Sequence, residues 1–361
     1  MRVLARIQEG TLMGRPRVSP ARLLALALAM CLAASVPALA SSAVLPTAGG
    51  NAVSANGSAA DQDPVTGDGK AMRYQGGRVL LDPRVYVVFW GSEWGPADAK
   101  GMPTADPLGA APVVVDFFGR LGGRGDTWST ILTQYCSGTK VNDKSCVPGS
   151  RKIPRMTRSP LRGWWVDTSP GPGQSSIDYQ MGARDEVTNR ALKHFGARHP
   201  DDIVVLMLPP STQSANCGAS HSSGGTGPHG LHPLIIIHYP LPMCPNSLAP
   251  VCSLGEPVEC LPTIELAITG AASHEYAEVV TNPFPMNCRV PSGICGWVVR
   301  DAAVWQGGAD PRTYEISDTC SNSRFVQLNG KKVSVATLWS NTANKGKGGC
   351  VARYVSDKNQ G

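Results

Sequence analysis

From Val85 to Trp90 the chain reads Val-Tyr-Val-Val-Phe-Trp, and Gly91 ends the run. An apolar run of this length, rich in β-branched and aromatic residues, predicts a strand buried on both faces. Two more segments read the same way: Asp202–Leu208, stopped by Pro209-Pro210, and Leu234–Tyr239. Elsewhere the apolar spacing is helical. Pro112–Leu121 opens on proline and closes on a glycine pair, Tyr179–Phe195 is amphipathic and ends at Gly196, and Thr263–Val280 ends before Asn282-Pro283. Trp128–Tyr135 reads as a further short helix. Segments rich in Pro, Gly, Ser or Cys read as loops: 151–180, with room for one strand, 211–232, and 243–262. This order of elements predicts an α/β (α+β) domain, with helices packed on one mixed sheet and a loop-rich, disulfide-held last part over 284–355.

The beginning of the chain follows another pattern. Five arginines, Arg2 to Arg22, precede an apolar run from Leu23 to Ala34, and Val36-Pro37-Ala38-Leu39-Ala40 follows. A basic start, an apolar middle and an A-x-A end are the three parts of a secretory signal peptide, with cleavage expected after Ala40. Met13 also precedes a well-formed signal. The run is too short for a permanent membrane helix, which needs about 20 residues. A lipoprotein reading through Cys31 fits poorly, because Met30 stands where a small residue is expected. Residues 41–80 carry few large apolar groups and read as a flexible tail or pro-segment. The expected organisation is a signal peptide over 1–40, a tail over 41–80 and one domain over 81–355, secreted to the extracellular space.

Charge narrows the partners. The formal net charge is +6, and the leader carries five arginines against one glutamate, so the rest is close to neutral. Neither a basic block nor a membrane span follows, which leaves no electrostatic footprint for nucleic acid or anionic lipid. A monomer is expected. Cysteine usage agrees with export. Cys31 leaves with the signal, and Cys136, Cys146, Cys217, Cys244, Cys252, Cys260, Cys288, Cys295, Cys320 and Cys350 remain. An even number in an exported chain predicts disulfides, and no C-x2-C pair points to a cysteine metal site. Pairing of neighbours along the chain is the simplest connectivity.

The helix over 263–280 carries the most suggestive chemistry. His274 and Glu278 are four residues apart and share a face, so both can reach one cation. Glu275 stands where the glutamate of an H-E-x-x-H helix serves as general base on water. Here Glu replaces the second His. A catalytic zinc usually takes three protein ligands, and the third is sought in Tyr314-Glu315-Ile316-Ser317-Asp318-Thr319-Cys320, with Glu315 slightly favoured over Asp318. Two carboxylates and one imidazole reduce the Lewis acidity of the ion and shift preference from Zn2+ toward harder cations. The plainer reading is a solvated helix face and a surface turn.

These segments form a recognisable series. His274-Glu275-Tyr276-Ala277-Glu278, Thr281-Asn282-Pro283, Gly296-Trp297 and Glu315-Ile316-Ser317-Asp318-x-Cys320 resemble the H-E-x-x-E, T-D-P, G-W and E-I-G-D-x-C segments of a widespread group of uncharacterised exported bacterial proteins. Val85–Trp94 and Leu338-Trp339-Ser340-Asn341 with Cys350 fit the same group, so the likeness covers about residues 80–355. The group is similar to the plant phosphate-induced (exordium-like) proteins, which lack the His and Glu pair. The resemblance implies a zincin-like fold, with His274 and Glu278 as zinc ligands and Glu275 as base. Asn282 replaces Asp and Ser317 replaces Gly, neither at an expected ligand.

Other constellations are weaker. Cys217-Gly218-Ala219-Ser220-His221-Ser222 lacks the G-x-S-x-G turn of a serine hydrolase. His221 reads as a loop histidine beside a disulfide, with a fourth-ligand role as the alternative. His229, His232 and His238 read as ordinary loop or strand residues. Asp116, Asp185 and Glu186 read as solvated helix faces. Trp164 and Trp165 fit core packing better than a carbohydrate or peptide groove. The function expected is a secreted metallohydrolase acting on peptide or protein, with an edge strand near Leu234–Tyr239 to hold an extended substrate. The alternatives are a non-enzymatic wall- or matrix-associated binding protein with a structural metal or none, and a disulfide-held toxin or inhibitor.

Overall fold

A computed structural model describes residues 71–354, save 124, 172–175, 211, 213–217, 228–229, 241–250, 254–258, 262, 286–293, 301–312 and 321. The signal peptide expected over 1–40 lies outside the described residues. The end of the expected tail does not behave as a tail. β1 (Arg73–Gln75) pairs antiparallel with residues 295–298, and Met72, Tyr74, Val79 and Leu80 are buried. Asn341 holds Met72 on both sides, accepting from its N–H at 3.0 Å and donating to its carbonyl at 2.8 Å. Four apolar side chains spread over nine residues suffice to anchor the segment, although its average composition is polar.

The three apolar runs form strands and lie together. β2 (Arg84–Trp90) is flanked by β5 (Leu161–Asp167) and β6 (Asp202–Met207), after the two-residue strands β3 (Cys136–Ser137) and β4 (Arg151–Lys152) have paired with each other. β7 (Ala219–Gly227) and β8 (Gly230–Ile237) complete a five-stranded sheet in the order β5-β2-β6-β8-β7. All neighbours are parallel except β7, which runs antiparallel to β8 at the edge. The parallel strands read as unbroken apolar runs because both faces are covered. Val85, Val87, Phe89, Val205 and Ile235 enter the main core, and Tyr86, Val88, Val204, Leu206 and Ile236 enter a smaller one on the other side. Two expectations are corrected. The 211–232 loop contains strand β7, and β8 is interior, so the edge on that side of the sheet is β7.

Helices cover both faces. α1 (Ala110–Arg120) begins ahead of its proline because the Asp106 carboxylate accepts from the N–H groups of Ala110 and Ala111 at 3.0 and 2.8 Å. The 128–135 segment is a 3-10 turn over Ser129–Gln134. α2 (Ser176–Glu186) continues through a π-helical turn, Val187–Ala191, into α3 (Leu192–Phe195), which Gly196 terminates in the left-handed region. β9 (Val251–Ser253) and β10 (Glu259–Leu261) pair with Cys252 opposite Cys260. α4 (Thr263–Thr281) then packs across α1, β7 and β8 on the main-core side, burying Ile268, Ala272, Tyr276, Val279 and Val280.

The last part holds more strand than expected. β11 (Cys295–Arg300) pairs with β1 and β12 (Thr313–Tyr314), β13 (Ser323–Leu328) with β14 (Lys331–Ala336), and β15 (Leu338–Ser340) with β16 (Gly349–Val351). Asn329-Gly330 joins β13 to β14 with φ of +46° and +80°, the two left-handed positions that suit a two-residue hairpin turn. β14 lies along α4. Among the described residues, disulfides join Cys136 to Cys146 and Cys320 to Cys350, both as neighbour pairing expects. Cys295 is also disulfide-bonded, and Cys217, Cys244 and Cys288 lie outside the described residues. No described helix is long and apolar enough to cross a membrane.

Candidate metal centre

α4 turns His274, Glu275 and Glu278 toward one place. His274 and Glu278 are one helical turn apart, and His274 Nε2 lies 3.1 Å from Glu278 Oε1. The acidic segment after β12 supplies the next group. Asp318 Oδ1 is 3.3 Å from His274 Nε2, and the Asp318 N–H donates to Glu278 Oε1 at 3.1 Å. The tight turn is held from all sides: Cys320 N–H donates to the Ser317 carbonyl at 2.8 Å, Trp339 N–H to the Ile316 carbonyl at 2.9 Å, and Ser317 Oγ to the His274 carbonyl at 3.2 Å. The Cys320–Cys350 disulfide fixes its end.

The donor set fits a small dication. One ligand atom from each of His274, Glu278 and Asp318 lies within 4.8 Å of the others. Tetrahedral ligands about 2.0–2.1 Å from a zinc ion stand about 3.3–3.4 Å apart, near the two separations observed. The three side chains differ in exposure, with Glu278 buried at 3%, His274 at 31% and Asp318 at 42%, so the group has a wet side. The preference for Glu315 is not what the geometry favours. Its carboxylate turns the other way, accepting from Asn282 Nδ2 at 2.6 Å and lying 3.3 Å from His221 Nε2. Asn282 is itself held by the Gly296 N–H at 2.8 Å.

His221 is the residue that sequence reading misplaced. It sits on β7, its side chain only 5% exposed, with Nδ1 2.9 Å from Glu275 Oε2 and 3.4 Å from Glu278 Oε2. The surrounding Ser and Gly residues hid the strand, and an isolated histidine gives no spacing to read. The other candidates fall elsewhere. Ser220 is on β7 and is followed by a hairpin, not by the helix a nucleophile elbow needs. His232 and His238 are buried, and His229 lies outside the described residues. Trp164 and Trp165 are on β5, at the opposite edge of the sheet, where Trp165 stacks on His194 at 4.0 Å. Asp116 bonds Arg120 and Lys331, and Glu186 is buried, contrary to its expected solvated face.

Burial and charge set the protonation of the cluster. Desolvation pushes the His274 imidazole down, but Glu278 and Asp318 more than reverse it and raise it to about 11. Burial pushes Glu278 up, and the His274 and His221 rings overcome that and hold it at about 2. Glu275 is raised by burial and by the Glu278 charge, with His221 opposing. Burial also raises Glu315 against the pull of His221. His221 is lifted well above the ordinary value, because Glu315, Glu275 and Glu278 outweigh its desolvation. Histidine and carboxylate ligands bind a cation in their deprotonated forms, so a cation at this cluster would compete with protons.

A cavity of about 410 Å³ opens beside His274 and Glu275. Small residues line it, Ala267, Gly270 and Ala271 on α4 with Gly218 and Ala219 where β7 begins, together with Ile268. Set against known proteins, the chain has no matching family model, and no curated protein or solved structure matches it.

Proposed function

We propose that the chain is an exported, zincin-like metallohydrolase that cuts peptide or protein substrates. The observation that carries this reading is the convergence of His274, Glu278 and Asp318 beside Glu275, with His274 and Glu275 lining a cavity. A helix that carries the H-E-x-x-E residues beneath a mixed sheet with an antiparallel edge strand supports the zincin-like likeness. His274, Glu278 and Asp318 would hold the ion, Zn2+ or a harder dication. Such an ion supplies Lewis acidity toward a carbonyl and toward water. Glu275 supplies the base: its raised proton affinity suits a carboxylate that takes a proton from water and returns it to the leaving amine. The edge of β7, beside this group, is the place where an extended peptide would add as a strand. The disulfides fit an oxidising, extracellular setting.

The test joins metal content to activity. Purified protein should keep a divalent ion through dialysis and cleave an unfolded protein. Glu275→Gln should keep the ion and lose hydrolysis by about 10²–10⁴-fold, the range for removal of a general base. Wild-type protein that retains no metal and cuts nothing ends this proposal. The alternative is a binding protein in which the cluster is a buried ion-pair network, and the contact of His221 with Glu275 favours it. That reading gains if Glu275→Gln changes stability and no activity.

A further inference from the structure

We infer that His221, Glu275 and Glu278 form a second cation position beside the first, and that filling it switches the proposed hydrolysis off. The inference rests on the reading above, with the first ion at His274, Glu278 and Asp318 and with Glu275 as base. Glu278 divides its two oxygens between the groups: Oε1 faces His274 Nε2 at 3.1 Å, and Oε2 faces His221 Nδ1 at 3.4 Å. A carboxylate so placed can bridge two ions about 3.5–4 Å apart. One donor atom from each of His221, Glu275 and Glu278 lies within 4.8 Å of the others.

His221 itself points to a ligand. Its ring is 5% exposed, with Nδ1 turned to both Glu275 and Glu278 and Nε2 turned to Glu315 Oε2 at 3.3 Å. A metal-bound imidazole commonly turns its second nitrogen to a carboxylate that other groups hold in place, and Asn282 holds Glu315 in that manner. The charge balance agrees. Glu275, Glu278, Glu315 and Asp318 bring four carboxylates to the cluster, and all but Asp318 are buried. Two imidazoles, even both charged, offset half of that charge, whereas two dications offset all of it, and unmatched buried charge is costly. The nitrogen and oxygen donors suit zinc or manganese better than a thiol-seeking ion.

The two positions would have opposite effects. The first makes water and carbonyl reactive. The second would hold the Glu275 carboxylate through Oε2, and a carboxylate bound to a dication loses the basicity that proton transfer requires. Excess metal therefore inhibits.

Zinc alone is the probe. The purified full chain is stripped with a chelator and titrated with Zn2+ by calorimetry, with bound zinc counted by elemental analysis. Cleavage of an unfolded protein is followed over the same titration. Two equivalents are expected, with cleavage rising through the first and falling through the second. His221→Ala and the near-isosteric Glu275→Gln should each weaken the second equivalent by about tenfold or more while the first remains. A single equivalent in the wild type overturns the second position and leaves the first standing. Two equivalents unchanged in Glu275→Gln overturn it as well. No bound zinc at all removes the earlier reading too.

Discussion

Glu186 shows how far a single buried carboxyl can depart from its sequence pattern. At 3% exposure it lies beside Asp167, and Arg190 contacts both, at 2.7 Å to Asp167 and 3.4 Å to Glu186. Burial, then the Asp167 charge, raises the Glu186 carboxyl from 4.5 to about 8, with Arg190 opposing. A group that binds its proton more tightly when folded stabilises the fold most at low pH, and that contribution is lost as pH rises toward the folded value. Stability from this group should therefore fall between pH 4.5 and about 8. Glu186 should add a downward slope to thermal melts across that range, and Glu186→Gln, neutral in both states, should lessen the slope and raise stability near pH 8. A variant whose melts track wild type throughout would show that Glu186 is already ionised. His221 teaches the complementary lesson. Its role comes from three carboxylates brought to it by α4 and the turn after β12, and nothing within its own segment signals them.

At the scale of elements, legibility followed burial. β2, β6, β8, α1 and α4 could be read because their apolar periods match the faces they bury. β7 could not, since Ala-Ser-His-Ser-Ser-Gly-Gly-Thr-Gly has no apolar alternation; it is an edge strand beside a polar site. The β13–β14 hairpin was legible in principle, as Asn329-Gly330 between strand-like residues is a strong turn signal. In the site, His274, Glu275, Glu278 and the acidic turn were visible as motifs, but which carboxylate met which imidazole depended on tertiary packing. Gly296 makes the packing requirement testable. A Cβ there would lie 2.0 Å from the Thr281 carbonyl oxygen, at the end of α4, so β11 can approach the helix only as glycine. Gly296→Ala should cost about 3 kcal/mol in denaturant unfolding, the upper end for overpacking, because the obstacle is backbone. A change below about 0.5 kcal/mol, typical of indifferent sites, would mean that β11 can move aside.

Across the whole molecule the site is assembled from parts that are distant in sequence: the edge strand β7, the helix α4 and the turn over 315–320. α4 is rigid through its packing on the sheet, whereas the turn depends on a disulfide and on the short β15–β16 pair. The two described disulfides therefore have different expected consequences. Cys320–Cys350 spans 30 residues and Cys136–Cys146 spans 10. Loop-closure entropy gives about 3–4 kcal/mol for the former and about 3 kcal/mol for the latter, so stability alone hardly separates them. Metal affinity does. Asp318 stands two residues from Cys320, and loosening that turn moves a proposed ligand, whereas Cys136–Cys146 contributes nothing to the group. Serine replacement of Cys320 and Cys350 together should lower zinc affinity by about tenfold or more, as loss of supporting contacts does at other metal sites. The Cys136 and Cys146 pair of replacements should lower the melting temperature by a similar amount and leave the affinity where it was. If both doubles bind zinc as tightly as wild type, the disulfide is a staple of the fold alone, and the hydrogen bonds from Ser317 and Asp318 to α4, with that from Trp339 on β15, are enough to hold the turn.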